Sequence, residues 1–140
     1  MAVETQRQLL RALVTLIGVT ATLTGLFVVL LGSSGQVDGA QAVASVESEL
    51  RFFAVFWIAY GAVALWVAPR VEREVHIVRA LAFFLFLGGV ARGIAWVADG
   101  RPHPLFVGLF VLELLIPAAL LLLQREIIAG GDASRERRRR

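Results

Sequence analysis

The sequence predicts an all-α fold: an integral membrane bundle of four transmembrane helices with both termini cytoplasmic. Three observations carry this. First, apolar runs at 9–31, 52–68, 77–97 and 105–123 fill most of the chain. Each is close to the roughly 17–25 residues that a helix needs to cross a bilayer. None alternates with the period of a barrel strand, and only helices or closed barrels satisfy every backbone group in lipid. Second, 58% of the 140 residues are hydrophobic and 18% are charged, against about 25% charged in a soluble domain; the mean hydropathy is +0.75. Third, eleven of the fourteen arginines fall on one side of the predicted spans. Such an excess marks the cytoplasmic face.

The elements follow in order. Arg7 and Arg11 head the first span. Its apolar stretch exceeds the roughly 7–15 residues of a secretory leader, so it is expected to stay uncleaved. Gly32-Ser33-Ser34-Gly35 ends it. In the loop that follows, Asp38 with Gln41 three residues later resembles a capping box, which predicts helix from Ala40 into span two. That span is expected to stop before Pro69. The next loop carries Arg70, Arg73 and Arg79 on the cytoplasmic side. Ala98 to Pro104 reads as a tight turn on the outer side. The transmembrane domain is taken as 1–126. Residues 127–140 form a basic tail expected to be disordered, with Arg137, Arg138, Arg139 and Arg140 touching anionic lipid headgroups.

Small residues mark the packing faces. Thr15, Gly18, Thr22, Gly25 and Gly32 keep to one side of the first helix, and Gly89 and Gly93 with Gly88 do so in the third. Small side chains let backbones approach closely in lipid. The plainer expectation is packing within the bundle; the sharper one is a homodimer or partner face. Trp66 and Trp96 fall where aromatic belt residues sit, whereas Trp57 and Tyr60 are deeper and expected to face the bundle.

Two charges lie inside apolar runs. Arg92 is about 7.5 Å below the outer end of span three and Glu113 about 12 Å below that of span four, at 1.5 Å per residue. An unpaired charge at depth costs at least ~2.5–3.5 kcal/mol, which predicts an Arg92–Glu113 pair. Arg51, opening span two on the same side, is a third candidate, with Glu47 one turn earlier as its alternative partner. Pro117 removes the hydrogen bond to the Glu113 carbonyl, as broken helices do at transporter sites. Arg51, Arg92, Glu113, Tyr60 and Pro117 therefore form the candidate polar cluster. It is either a structural clamp or a pocket open to the outer face.

These residues resemble a small bacterial membrane family, domain of unknown function 4345, over roughly 49–124. The resemblance rests on Arg51-Phe52, Gly61, Leu87-Gly88-Gly89-x-x-Arg92, Gly100-x-Pro102-x-Pro104, and Glu113-Leu114 with Pro117. It implies a four-helix integral membrane protein with the Arg and Glu positions as family features; the expected location is a bacterial inner (cytoplasmic) membrane. It implies no activity.

With no cysteine, disulfides and thiolate catalysis are excluded. No nucleophile elbow, phosphate-cradling loop or metal-ligand spacing is present, so no enzyme, metal site or cofactor is expected. The basic tail reads as a topology signal, not as a nucleic-acid site. Two readings remain. One is an accessory subunit packing against a larger membrane complex. The other is an outward-facing binding or transport module for a lipid, quinone or small polar solute, built on the Arg/Glu cluster.

Overall fold

The computed structural model describes the backbone of residues 2–37, 39 and 41–139 and the side chains of 4–37, 39 and 41–130. It is all helical: α1 Ala2–Leu31, α2 Ala44–Val67, α3 Val75–Asp99 and α4 Pro104–Arg139, with short 3₁₀ turns at Gly32–Gly35 and Ala68–Arg70. All four α-helices are long and apolar enough to cross a membrane. The chain divides into two compact units, Val14–Ala68 and Met1–Leu13 with Pro69–Arg140.

In the Val14–Ala68 unit, α1 packs against α2 through small residues. A Cβ built on Gly18 would stand 2.7 Å from Leu65 Cγ and 3.0 Å from the Gly61 carbonyl. One on Gly61 would stand 2.7 Å from the Thr22 backbone nitrogen and 2.8 Å from the Gly18 carbonyl, and one on Gly25 would stand 3.0 Å from the Ala54 carbonyl. The α1 face that is buried runs through Val14, Gly18, Ala21 and Gly25. Thr15, expected on that face, is exposed. It lies one position, or about 100°, from Val14, far enough to turn it outward.

The turn between α1 and α2 corrects a second expectation. The structure begins α2 at Ala44, with Val43 as N-cap and no side-chain cap bond. Asp38, the expected cap, lies outside the described residues. The start is late because Ser33 intervenes: its Oγ accepts the Ala42 N–H at 2.9 Å, holding that stretch out of the helix. Gly32, at φ +62°, makes the turn that brings Ser33 there, a left-handed conformation that a side chain resists. At its other end α2 passes at Val67 into the 3₁₀ turn containing Pro69, as a missing N–H requires.

In the other unit, α3 and α4 pack antiparallel, and Val78, Leu81, Ala82, Leu85 and Leu120 are buried. Gly100, at φ +95°, ends α3 and donates its N–H to the Trp96 carbonyl at 3.1 Å. Pro104 is the first residue of α4, where its fixed φ suits the helix and its absent N–H costs nothing. His103 Nδ1 accepts the Leu105 N–H at 3.2 Å, so this histidine serves the helix start. The extent of α4 includes the tail expected to be disordered. The side chains of 131–140 lie outside the described residues, and with them the headgroup contacts assigned to Arg137–Arg140.

Replacing Gly61 by valine drives atoms into the Thr22 backbone, which cannot move away as a side-chain end could. The expected loss is about 1–3 kcal/mol or more, the usual scale for overpacking. It would be read as a drop of several degrees in the unfolding midpoint in detergent. Ala62→Val, at an exposed position one residue on, should leave the midpoint unchanged.

Candidate functional site

The site is built by glycines on α3 and one acid on α4. Glu113 is 9% exposed. It fits because the facing stretch of α3 is Gly88-Gly89: a Cβ on Gly89 would stand 3.2 Å from Glu113 Cβ and 3.0 Å from Leu114 Cδ2. One turn along, Arg92 donates from Nε to Glu113 Oε2 at 2.8 Å. Charge-assisted bonds of this length are among the stronger ones available to a side chain. The guanidinium carbon also lies 5.6 Å from the centre of the Phe106 ring, within range of cation–π attraction. Gly93 continues the close face: a Cβ there would stand 3.2 Å from Phe110.

The pair is unequal. The Glu113 side chain is 11% exposed and that of Arg92 is 37%. The Glu113 side chain is thus shielded while part of the Arg92 side chain is open. The open side of Arg92 borders a cavity of about 400 Å³ with Trp96, Asp99, Arg101, Phe106 and Phe110 among its walls. Trp96 meets Phe110 edge to face at 5.9 Å. Aromatic walls with charged groups beside them, Arg92 among these partly neutralised from behind by Glu113, can hold a flat or amphipathic molecule with a polar end.

Arg51 and Tyr60 belong to the other unit. Arg51 donates from Nη2 to Glu47 Oε1 at 3.0 Å and from Nη1 to the Val29 carbonyl at 2.5 Å. Glu47 in turn accepts the Ser33 N–H at 3.1 Å. This cluster ties the end of α1 to the first turns of α2. Tyr60 stacks on Trp57 with ring centres 5.0 Å apart, and Trp57 donates to Thr24 Oγ1 at 2.9 Å. Pro117 lies one turn beyond Glu113. It borders a different cavity, of about 610 Å³, whose lining includes Arg79 and Arg125 and not Glu113.

A second polar cluster escaped the sequence reading. Gln124 is 2% exposed. It accepts from Arg79 Nε at 3.2 Å and donates to the Val75 carbonyl at 3.3 Å. Near it, Arg7 and Arg11 stand 3.0 and 3.6 Å from Glu72, and Gln6 donates to Glu126. The available signal was the one polar residue, Gln124, closing an apolar run level with Arg79 on the neighbouring antiparallel helix.

The model of the family described as Domain of unknown function (DUF4345) matches residues 9–124. The chain belongs to that family, and the match takes in the first span, beyond the 49–124 that the motifs alone suggested. No curated protein and no solved structure matches the chain.

Exchanging the charges should separate a clamp from a mere proximity. Arg92→Glu or Glu113→Arg alone places two like charges together, at a cost of about 1–3 kcal/mol or more for the unsatisfied buried group. Each single variant is expected to accumulate poorly in membranes. The double exchange is expected to recover a substantial part of the wild-type level, measured by quantitative immunoblot of the membrane fraction. Failure of the double to exceed either single would show that the pair is not coupled.

Proposed function

We propose that this DUF4345 protein is a multi-pass protein of a bacterial inner membrane, with both termini cytoplasmic. Its role is that of a non-enzymatic accessory or interaction subunit in a larger membrane complex. The observation that carries this reading is where the large apolar side chains point. Leu23 is 61% exposed, Phe53 63%, Phe84 61% and Leu115 61%, one from each α-helix. Apolar surface of that extent on every helix suits lipid or a partner helix and not water. The intramembrane charges support the same role. Arg92 is engaged by Glu113, and Arg51 by Glu47 and the Val29 carbonyl, so both act as ties between elements. The orientation rests on the eleven arginines assigned to one side.

A second reading has a specific observation in its favour: the open flank of Arg92 against the aromatic cavity. In that reading the chain binds a lipid, quinone or small polar solute from the outer side, with Glu113 holding the guanidinium in place.

Native mass spectrometry of the protein, extracted in mild detergent at its natural expression level, should find it with a defined larger membrane partner. Recovery alone or as a dimer, with a reproducible small mass that Glu113→Gln removes, would favour the second reading instead. The topology has its own check. A fluorescent protein fused after Arg140 should glow, and alkaline phosphatase fused there should be inactive; the reverse pattern would overturn the orientation.

A further inference from the structure

The cavity beside Pro117 has cations and apolar side chains in its lining. It opens along the seam between α3 and α4. On α3, Arg79, Phe83 and Phe86 follow one another at helical spacing on one face, and on α4 Leu114, Leu121 and Arg125 do the same. The helices are antiparallel, with Arg79 bonded to Gln124 at 3.2 Å. That bond brings Arg79 level with Arg125, the residue next to Gln124. Both cations therefore sit at one end of the groove, and the rest of its lining is apolar. Arg7, Arg11, Arg51 and Arg92 each have a carboxylate partner. Among the described residues, Arg79 and Arg125 are not paired with one, and no acid lines the groove.

We propose that this groove binds an anionic phospholipid, its phosphate on Arg79 and Arg125 and an acyl chain along Phe83, Phe86, Leu114 and Leu121. The inference rests on the membrane placement proposed above. Three arguments carry it. Arginine presents a planar fork that matches phosphate oxygens, and Gln124 holds one nitrogen of Arg79 so that the fork is oriented before a ligand arrives. From Leu114 to Arg125 the helix rises about 16 Å at 1.5 Å per residue. That is close to half of the roughly 30 Å hydrocarbon core, so the groove spans one leaflet with its cations at headgroup level. The volume of about 610 Å³ is kept open by Ala82 and Ala118 in its walls, with Phe83 and Phe86 exposed along its edge. Basic pockets between helices at the cytoplasmic surface are suited to acidic headgroups, whose charge a choline headgroup lacks.

The test uses the full chain in mild detergent, titrated with dioleoylphosphatidylglycerol or dioleoylphosphatidylcholine and read by native mass spectrometry. The phosphatidylglycerol adduct should persist at collision energies that strip phosphatidylcholine. Arg79→Gln with Arg125→Gln should weaken that preference roughly tenfold to thirtyfold, as expected for two arginines near an anionic surface. Arg73→Gln, an exposed cation outside the groove, should leave it intact, and the Arg79→Lys, Arg125→Lys pair should keep most of it. Equal retention of the two lipids, or a preference that survives the double glutamine variant, overturns the proposal. So does glycerol phosphate binding as tightly as the intact lipid, since the groove then contributes nothing. If the double glutamine variant unfolds, Leu121→Trp, which fills the groove without touching either charge, should still reduce the phosphatidylglycerol adduct; no reduction overturns the proposal. Resistance of the chain to alkaline carbonate extraction separates the two levels of inference. A protein released by carbonate removes the membrane reading itself, whereas a retained protein indifferent to lipid charge removes only this site.

Discussion

The close approach of helix backbones is the constraint on which the rest of the structure depends. Gly18 faces Gly61, Gly25 faces Ala54, and Gly89 faces Glu113, in each case at distances a Cβ could barely occupy. In lipid, burying a leucine against another helix gains little, because the acyl chains are as apolar as the leucine. What remains is dispersion between closely fitted atoms, each contact worth only ~0.1–0.2 kcal/mol and requiring near-contact distances. Placing the small residues inward and the phenylalanines and leucines outward is the solution this logic favours. Burial in the chain follows that pattern in part: alanine, glycine and valine are prominent among the buried residues, beside Leu10, Leu81, Leu85 and Leu120.

The same constraint creates room for charge. A glutamate with its backbone against another helix would clash with most side chains. Opposite Gly88-Gly89 it does not, and Arg92, one turn on, is placed to meet it. The ion pair is therefore a product of the glycine face as much as of electrostatics. Gly32 does the same for Arg51: the turn it permits exposes the Ser33 N–H to Glu47 and leaves the Val29 carbonyl within reach of the guanidinium. In both clusters the cation is satisfied by groups that a glycine has made accessible.

How much of this the sequence disclosed depended on the range of the interaction. The four helices were legible because each writes its own signal in twenty or so consecutive residues. The partnership of Arg92 with Glu113 was legible because two opposite charges at similar depth leave few alternatives. Gly18 and Gly25 were legible as a face, but Gly61, their counterpart, could not be matched to them, since periodicity within one helix says nothing of which helix it meets. The late start of α2 was hidden for a related reason. Ala42 is held by the hydroxyl of Ser33, nine residues away and across a turn, whereas the capping-box pattern considers only immediate neighbours. Thr15 was placed on the wrong side because a stripe three to four residues apart can be drawn through either of two adjacent positions, and only packing chooses between them.

The two polar ties on the α3–α4 pair explain how a seam of interchangeable apolar residues keeps one register. Arg92–Glu113 lies toward one end and Arg79–Gln124–Val75 toward the other. They are separated by thirteen residues on α3 and eleven on α4, roughly 16–20 Å of helix. Between them the contact is formed by residues such as Leu81, Ala82, Leu85 and Leu120, which could repack after a slide of one helical turn at modest cost. A slide would break both ties at once. It would strand Glu113 opposite side chains instead of Gly88-Gly89, and Gln124 away from the carbonyl of Val75. Polar residues are known to fix register in packed helices at some expense in stability. Two of them, one toward each end of the seam, fix translation and leave rotation to the glycines. A cavity lies beside each tie: at Arg92 and at Arg79, the arginine that sets the register keeps a flank open to the surroundings.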